Sequence, residues 1–427
     1  MWNIFFKWDP EADFTEPTQV GEGGRAESLN LDTYFLIGVI TFFAGGKVMQ
    51  HAQYQFLQSR GWTPQLPPAE AGSQRLIFAF GARQLLKDRA LTGELREHFP
   101  DAMMIGGSTS GEIAGDEVTD DSVVATVIGF DHTKFRAAHA TIGEGQSSFE
   151  VGKELARQLN DDKLRHVFVM SDGLKINGSE LAKGITSGVA SSVSVTGGLS
   201  GDGANFVETL VVDETGTGPQ CVAAIGFYGD HLKIGYGSMG GWETFGPIRE
   251  ITRAEGNVLY ELDGRNALDL YKTYLGPHAE KLPASALLFP IAVTEANSKV
   301  SVVRTILSID EQTKSMTFAG DIPQGGTAQL MKTNVDDLVE GARAAAETSM
   351  KGLGGEKPDL ALLVSCVGRK LVMDQRTEEE TEAVREVLGD DATIAGFYSY
   401  GELCPFSQGE TCRLHNQTMT ITVFSEH

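Results

Sequence analysis

Arg369 and Glu402 head the residues of this chain whose types and surroundings suit chemistry. An arginine can grip a carboxylate through two parallel N–H bonds, and a glutamate can hold a cationic group, so the two together would serve a ligand that carries both charges. Glu402 stands in DATIAGFYSYGEL (Asp391 to Leu403), where Gly401 permits a sharp turn and Tyr398, Ser399 and Tyr400 surround the carboxylate with hydroxyls. The competing reading is that Arg369 and Glu402 pair with each other as a structural ion bridge and that the glycines serve only the turn. Cys366 precedes Arg369 by three residues, where positive charge would lower a thiol pKa, although an inert buried cysteine explains the same position.

A second string, DAMMIGGSTSGEI (Asp101 to Ile113), ends in the same Gly-Glu turn and sets Ser108, Ser110 and Glu112 at corresponding places. Each string follows an apolar run that ends near an arginine: RLIFAFGAR closes on Arg83 and LALLVSCVGR on Arg369. A fainter copy runs from RHVFVMSDGLK (Arg165 to Lys175) to VSVTGGLSGDG (Val193 to Gly203), with Asp202 near the acidic position. SVVATVIGF and CVAAIGF close the first and the faint copies with similar strands. Repeats at such long spacing predict duplicated strand-helix-strand-strand units that share a core, not a solenoid of short modules. The two Gly-Glu turns then either line two related pockets or face one another across a single pocket between domains.

The elements that position these residues are signalled locally. Ser147 with Glu150, and Thr377 with Glu380, read as capping boxes that open FEVGKELARQL and EEETEAVREVL. ITRAEGNVLYELDG reads as two strands around Glu255-Gly256-Asn257, followed by a helix over NALDLYKTYL. SALLFPIAV, KVSVVRTILSID and KSMTFAGDI are strand-like, and VDDLVEGARAAAETSM is a long helix stopped by Gly352, Gly354 and Gly355. Strands alternate with helices in some stretches and follow one another directly in others, so the expected class is mixed α/β (α+β): two packed domains with mixed sheets flanked by helices. The expected division is an N-terminal extension over 1–48, one domain over 49–255 and a second over 256–427.

Composition excludes several functions. A formal net charge of -23 with no Lys/Arg cluster repels phosphate backbones and anionic lipid, which argues against nucleic acid or a membrane as partner. Four irregularly spaced cysteines make no disulfide framework and no export signal is evident, so the expected compartment is the cytoplasm. The apolar run Tyr34 to Ala44 falls well short of the roughly 20 residues a spanning helix needs. Nothing in 1–48 matches the repeated units; upstream sequence admitted by too early a start codon is preferred over a peripheral tail or a docked element. Cys404, Cys412 and His415 miss the paired Cys-x-x-Cys spacing of structural zinc sites, and Gly197 to Gly203 lacks the Gly-Lys-Ser/Thr ending of a phosphate loop. No base or oxyanion hole accompanies Cys366 and His415, so no catalytic residues and no metal are expected.

The ordered set IGGSTSGEI, TGGLSGDG, GWETFGP, VLYELDGRNALDLY, SCVGR, GFYSYGEL and LHNQTMT resembles the FIST proteins, built from a FIST N-terminal and a FIST C-terminal domain. The resemblance covers nearly everything from Met49 onward. It implies an intracellular sensory module that binds a small ligand, with an amino acid the preferred class, and informs a signalling partner. Many relatives are fused to kinases, chemotaxis modules or cyclic-dinucleotide enzymes; without such a signature, this chain is expected to act through a separate protein such as a histidine kinase or a cyclic-dinucleotide enzyme. The ligand would engage Arg369, Glu402, Tyr398, Ser399, Tyr400 and Cys366, with Arg83, Ser108, Ser110 and Glu112 as the duplicate set. The resemblance also implies two alternatives: a haem-binding nitric oxide sensor, with His415 a weak candidate for axial ligand, and a protein-interaction adaptor.

Overall fold

Three runs in this chain, RLIFAFG, LRHVFVMS and LALLVSC, are apolar almost throughout, the pattern of strands covered on both faces, and nearly every residue in them is buried. The computed structural model describes residues 49–69, 74–143, 145–282 and 284–427. The extension over 1–48, with its apolar run Tyr34 to Ala44, lies outside the described residues.

Each apolar run is the central strand of a module. The first module comprises β1 (Met49–Leu57), β2 (Gly61–Thr63), β3 (Arg75–Gly81), helices α1 (Arg83–Lys87) and α2 (Ala90–His98), β4 (Ala102–Ser108), a hairpin of β5 (Glu112–Ala114) and β6 (Glu117–Thr119), and β7 (Ser122–Phe130). The second repeats that order with β8 (Lys134–Thr141), α3 (Ser148–Leu159), β9 (Leu164–Ser171), α4 (Gly178–Gly188), β10 (Ser194–Leu199), the hairpin β11 (Val211–Asp213) and β12 (Gly216–Gly218), and β13 (Cys221–Tyr228). The third opens on β14 (Leu232–Met239) and is interrupted by a separate sheet spanning β15 (Glu243–Glu255), β16 (Val258–Leu262), β17 (Arg265–Asn266), α5 (Ala267–Leu275), β18 (Ile291–Thr294), β19 (Ser301–Arg304), β20 (Ile306–Asp310), β21 (Ser315–Phe318) and β22 (Thr327–Lys332). It resumes with α6 (Val335–Met350), β23 (Leu360–Cys366), α7 (Val367–Met373), α8 (Glu378–Leu388), β24 (Thr393–Ser399), the hairpin β25 (Gly401–Cys404) and β26 (Arg413–His415), and β27 (Met419–Glu426).

The three modules make three sheets of one strand order, β12-β11-β4-β3-β7-β1-β2, β26-β25-β10-β9-β13-β8 and β6-β5-β24-β23-β27-β14. In each, only the two central strands run parallel. The hairpins are exchanged in a closed cycle: β5 pairs with β24, β11 with β4 and β25 with β10. No module completes its own sheet, so the core is one cooperative body. Within each module the two central strands approach closely. A Cβ on Gly106, Gly197 or Gly396 would sit 1.7, 2.0 or 2.1 Å from the carbonyl oxygen of Ala79, Val169 or Leu363, three equivalent points on the neighbouring strand.

The inserted sheet, β19-β18-β22-β15-β16-β21-β20, buries its own core of Ile251, Leu259, Leu268, Phe318 and Leu330 under α5. The fold is therefore mixed α/β, with mixed sheets flanked by helices. Residues 255 to 258 form the tip of the β15–β16 hairpin, as their Glu-Gly-Asn turn predicts. Two local expectations fail. SALL lies in a 3₁₀ turn over Ala284–Leu288, and only IAVT becomes strand. Ser147 does cap α3 by accepting from the Glu150 amide, but Thr377 has helical dihedrals and makes no such bond: its hydroxyl donates to Asp374 O, and the Glu380 amide donates to Thr377 O.

Candidate functional site

Both Gly-Glu turns bring their carboxylates into closed rings of hydroxyls. Glu402 is fully buried; its Oε1 accepts from Ser399 Oγ at 2.7 Å, and its Oε2 accepts from Thr418 Oγ1 at 2.9 Å and Thr418 N at 3.2 Å. Glu112 repeats the arrangement, accepting from Thr109 Oγ1, from Ser122 Oγ at 2.6 Å and from Ser122 N at 3.3 Å. Burial pushes the Glu112 carboxyl up to about 7 and the Glu402 carboxyl up to about 8, against the lowering effect of those hydroxyls. Each carboxylate has its own ring, so the turns do not face one another across a shared pocket. The glycines differ in purpose. Gly111 has φ +131°, whereas a Cβ on Gly401 would press within 2.8 Å of Leu414.

Arg369 does not reach Glu402. Its Nε and Nη2 clamp Glu380 Oε2 at 3.0 and 2.7 Å, Nη2 also donates to Leu338 O, and Nη1 donates to Gly240 O at 2.6 Å and Gln417 O at 3.5 Å. All five of its donors are engaged, and Glu380 also receives Ser365 Oγ and Tyr398 Oη. The acid read from sequence as a helix cap is thus the buried partner of Arg369. The Cys366 thiol is pushed up by burial, opposite to the activation that its neighbouring arginine suggested. His415 is buried, with Nε2 2.8 Å from Cys404 O and its pKa held down to about 4 by desolvation; ligating haem through that nitrogen would cost the bond.

Arg83, Ser110, Tyr400 and Ser108 assemble the loop between β10 and β11. Asp202 accepts from the amides of Phe206, Val207 and Glu208 at 2.8, 3.0 and 3.1 Å and from Tyr400 Oη, while Phe206 stacks on Tyr400 at 4.4 Å. Arg83 Nη1 pairs with Glu208 at 3.1 Å, Ser110 Oγ donates to Gly203 O, and Ser108 Oγ accepts from Leu210 N. Arg83 stands at the start of α1, while Arg369 lies two residues into α7, so the two are not equivalent.

A cavity of about 390 Å³ opens elsewhere, between the inserted sheet, α4 and β26. Its wall carries Arg304, which is only 6% exposed yet has no carboxylate within 4 Å among the described residues. Arg304 Nε donates to Asp321 O at 3.0 Å, and Nη1 donates to Val303 O and Leu414 O at 3.0 and 3.1 Å; nothing described accepts from Nη2. Desolvation holds its pKa down to about 10, so it stays cationic at neutral pH. Lys183 and Arg413 add positive charge to the walls, and Glu295 and Asp321 supply acid. Asp321 is fixed by Asn177 Nδ2 at 2.8 Å and Lys183 Nζ at 3.4 Å. Gly320 makes room for the guanidinium, since its Cβ would lie 2.9 Å from Arg304 Nε. The signal missed in sequence was a lone arginine between the apolar residues Val302-Val303 and Ile306, where β19 ends and β20 begins. Among the described residues no His/Cys/Asp/Glu group is preset around a metal, and no helix is long and apolar enough to cross a membrane.

Comparison with known families matches the FIST N domain to residues 75–265 and the FIST C domain to residues 267–405. The uncharacterized protein MJ1623 of Methanocaldococcus jannaschii is 24% identical over 400 residues, covering 82% of this chain and 73% of that protein.

Proposed function

The chain belongs to the FIST family of signal-transduction sensory domains, and from that premise we propose that it senses a small zwitterionic metabolite, an amino acid in class, in the cavity walled by Arg304. The observation that carries the reading is a buried guanidinium with a spare N–H edge on a cavity wall. Burying a cation without an acid is costly, and an anionic guest lifts that cost. The ligand carboxylate meets Arg304 with Arg413 or Lys183 alongside, and its ammonium group meets Glu295 and Asp321. Ligand bridges the inserted sheet to α4 and β26, which stabilises that arrangement over any more open one and alters the surface offered to a separate cytoplasmic signalling protein, such as a histidine kinase or a cyclic-dinucleotide enzyme. The protein binds its ligand and does not transform it.

Calorimetric titration with a panel of amino acids and matched dicarboxylates tests this reading. At least one amino acid binds, and Arg304→Gln weakens it by about 30-fold or more, the equivalent of about 2 kcal/mol for a buried charge contact. Glu295→Gln, at an exposed position, weakens the amino acid but spares the dicarboxylate. A panel that gives no binding, or an affinity indifferent to both substitutions, refutes the proposal.

A further inference from the structure

The last strand of each module ends in an acidic residue followed by histidine. β7 leads into Asp131-His132, β13 into Asp230-His231 by way of Gly229, and β27 ends in Glu426-His427. The cyclic exchange of hairpins brings these exits together although His132 and His231 lie 99 residues apart in sequence and His231 and His427 lie 196 apart. The His132 and His231 ring centroids lie 4.8 Å apart, and those of His231 and His427 lie 6.4 Å apart. Metal–nitrogen bonds of about 2.0–2.1 Å in a tetrahedral site put neighbouring imidazole centroids about 5 Å apart, between the two observed spacings.

One ring is oriented by its surroundings, and the three backbones that carry the rings are tied together. His231 Nδ1 lies 3.0 Å from the backbone oxygen of His427. That oxygen can only accept, so Nδ1 carries the hydrogen and a neutral ring has its lone pair on Nε2, the arrangement by which a backbone oxygen orients a ligating imidazole. The backbones are tied to one another as well. The Glu426 carboxylate accepts from the amides of Asp131 at 2.8 Å, His132 at 3.1 Å and Thr133 at 2.5 Å, and His427 N donates to His231 O at 3.0 Å. All three histidines are exposed, so a metal ion has access from solvent and the rings have freedom to turn.

We propose that His132, His231 and His427 bind one divalent transition metal ion of the zinc or nickel class, for which neutral imidazoles are suitable ligands. The rings close on the ion by rotation about their side-chain torsions. Three nitrogens leave a coordination position for water or an external ligand.

The test uses the full chain, stripped of metal by dialysis against chelator and titrated with Zn2+ by calorimetry. The expected result is about one equivalent bound, with His132→Ala, His231→Ala and His427→Ala each weakening affinity by about tenfold or more and the triple substitution abolishing it. Co2+ in place of Zn2+ gives a visible ligand-field band that the same substitutions remove. His278→Ala, on the inserted sheet's side of the molecule, leaves both readouts unchanged. Because the three positions are exposed, unfolding does not mimic the loss, and circular dichroism checks this directly. No binding, binding that survives the triple substitution, or an equal loss in His278→Ala overturns the proposal.

Discussion

Replacing Glu402 with glutamine isolates the energetic burden of a buried carboxyl. In the folded protein this group ionises only near pH 8, whereas in the unfolded chain it does so near its ordinary 4.5. Between those values the folded state holds a proton that the unfolded state has released, so the group's contribution to stability is complete below pH 4.5 and is lost as pH rises through 8. At about 1.4 kcal/mol per pH unit, the loss is about 1 kcal/mol at pH 5.5 and about 3 kcal/mol at pH 7, levelling near pH 8. Glutamine carries no proton linkage and fits the same ring: its NH₂ faces Ser399 Oγ and its carbonyl accepts from Thr418 N and Oγ1. Glu402→Gln is therefore more stable than wild type, by a margin that grows with pH on that schedule. Urea unfolding of both proteins at pH 5.5, 7 and 8.5 measures it as a widening gap between midpoints. A gap that stays constant with pH, or a variant less stable throughout, refutes the argument that desolvation dominates this site.

Other outcomes follow from the same geometry. Glu380→Ala strands the buried guanidinium of Arg369 and lowers unfolding free energy by about 3–5 kcal/mol in urea titration, and adding Arg369→Met recovers part of the loss. Gly197→Ala drives a Cβ to 2.0 Å from Val169 O and yields no soluble folded protein, while Gly218→Ala, with nothing within 4 Å, expresses normally. A thiol reagent leaves Cys221, Cys366, Cys404 and Cys412 unlabelled in the native protein, since burial raises each thiol, and labels all four in denaturant.

The fold was legible in sequence wherever a local pattern matched a local cause. The helix over 335–350 and the turn at Glu255-Gly256-Asn257 were readable because helix-stopping glycines and turn chemistry act within a few residues. The fainter likeness of Val193 to Gly203 has a structural counterpart, since Gly197 holds the same register as Gly106 and Gly396, while Asp202 does not take the place of Glu112 and Glu402. Glu380 was misread because a Thr-x-x-Glu cap and an inward-facing acid share one spacing, and only Arg369, eleven residues earlier on another helix, distinguishes them. Hairpin exchange left no local mark at all. Nothing near Glu112 announces that it lies opposite Phe397, so the partners of the buried acids were beyond sequence reasoning.

The three corners explain why the repeated motifs were such conspicuous but indirect guides. Glu112 lies opposite Phe397 and Glu402 opposite Gly198, while the equivalent place opposite Gly107 is taken by Val211. A position that accepts either a hydroxyl-ringed carboxyl or a valine is being used to fill and close the exchanged hairpin, which is a task of architecture. The Arg304 cavity has the opposite character. It depends on the inserted sheet, which only the third module carries, and on Arg413 and Lys183 from hairpin and helix positions that the other modules fill differently. Repetition strengthens whatever every module must do to fold, whereas recognising one ligand needs an arrangement that occurs once. On that logic the most legible residues mark the scaffold, and the lone arginine closing a strand of the inserted sheet marks the proposed site.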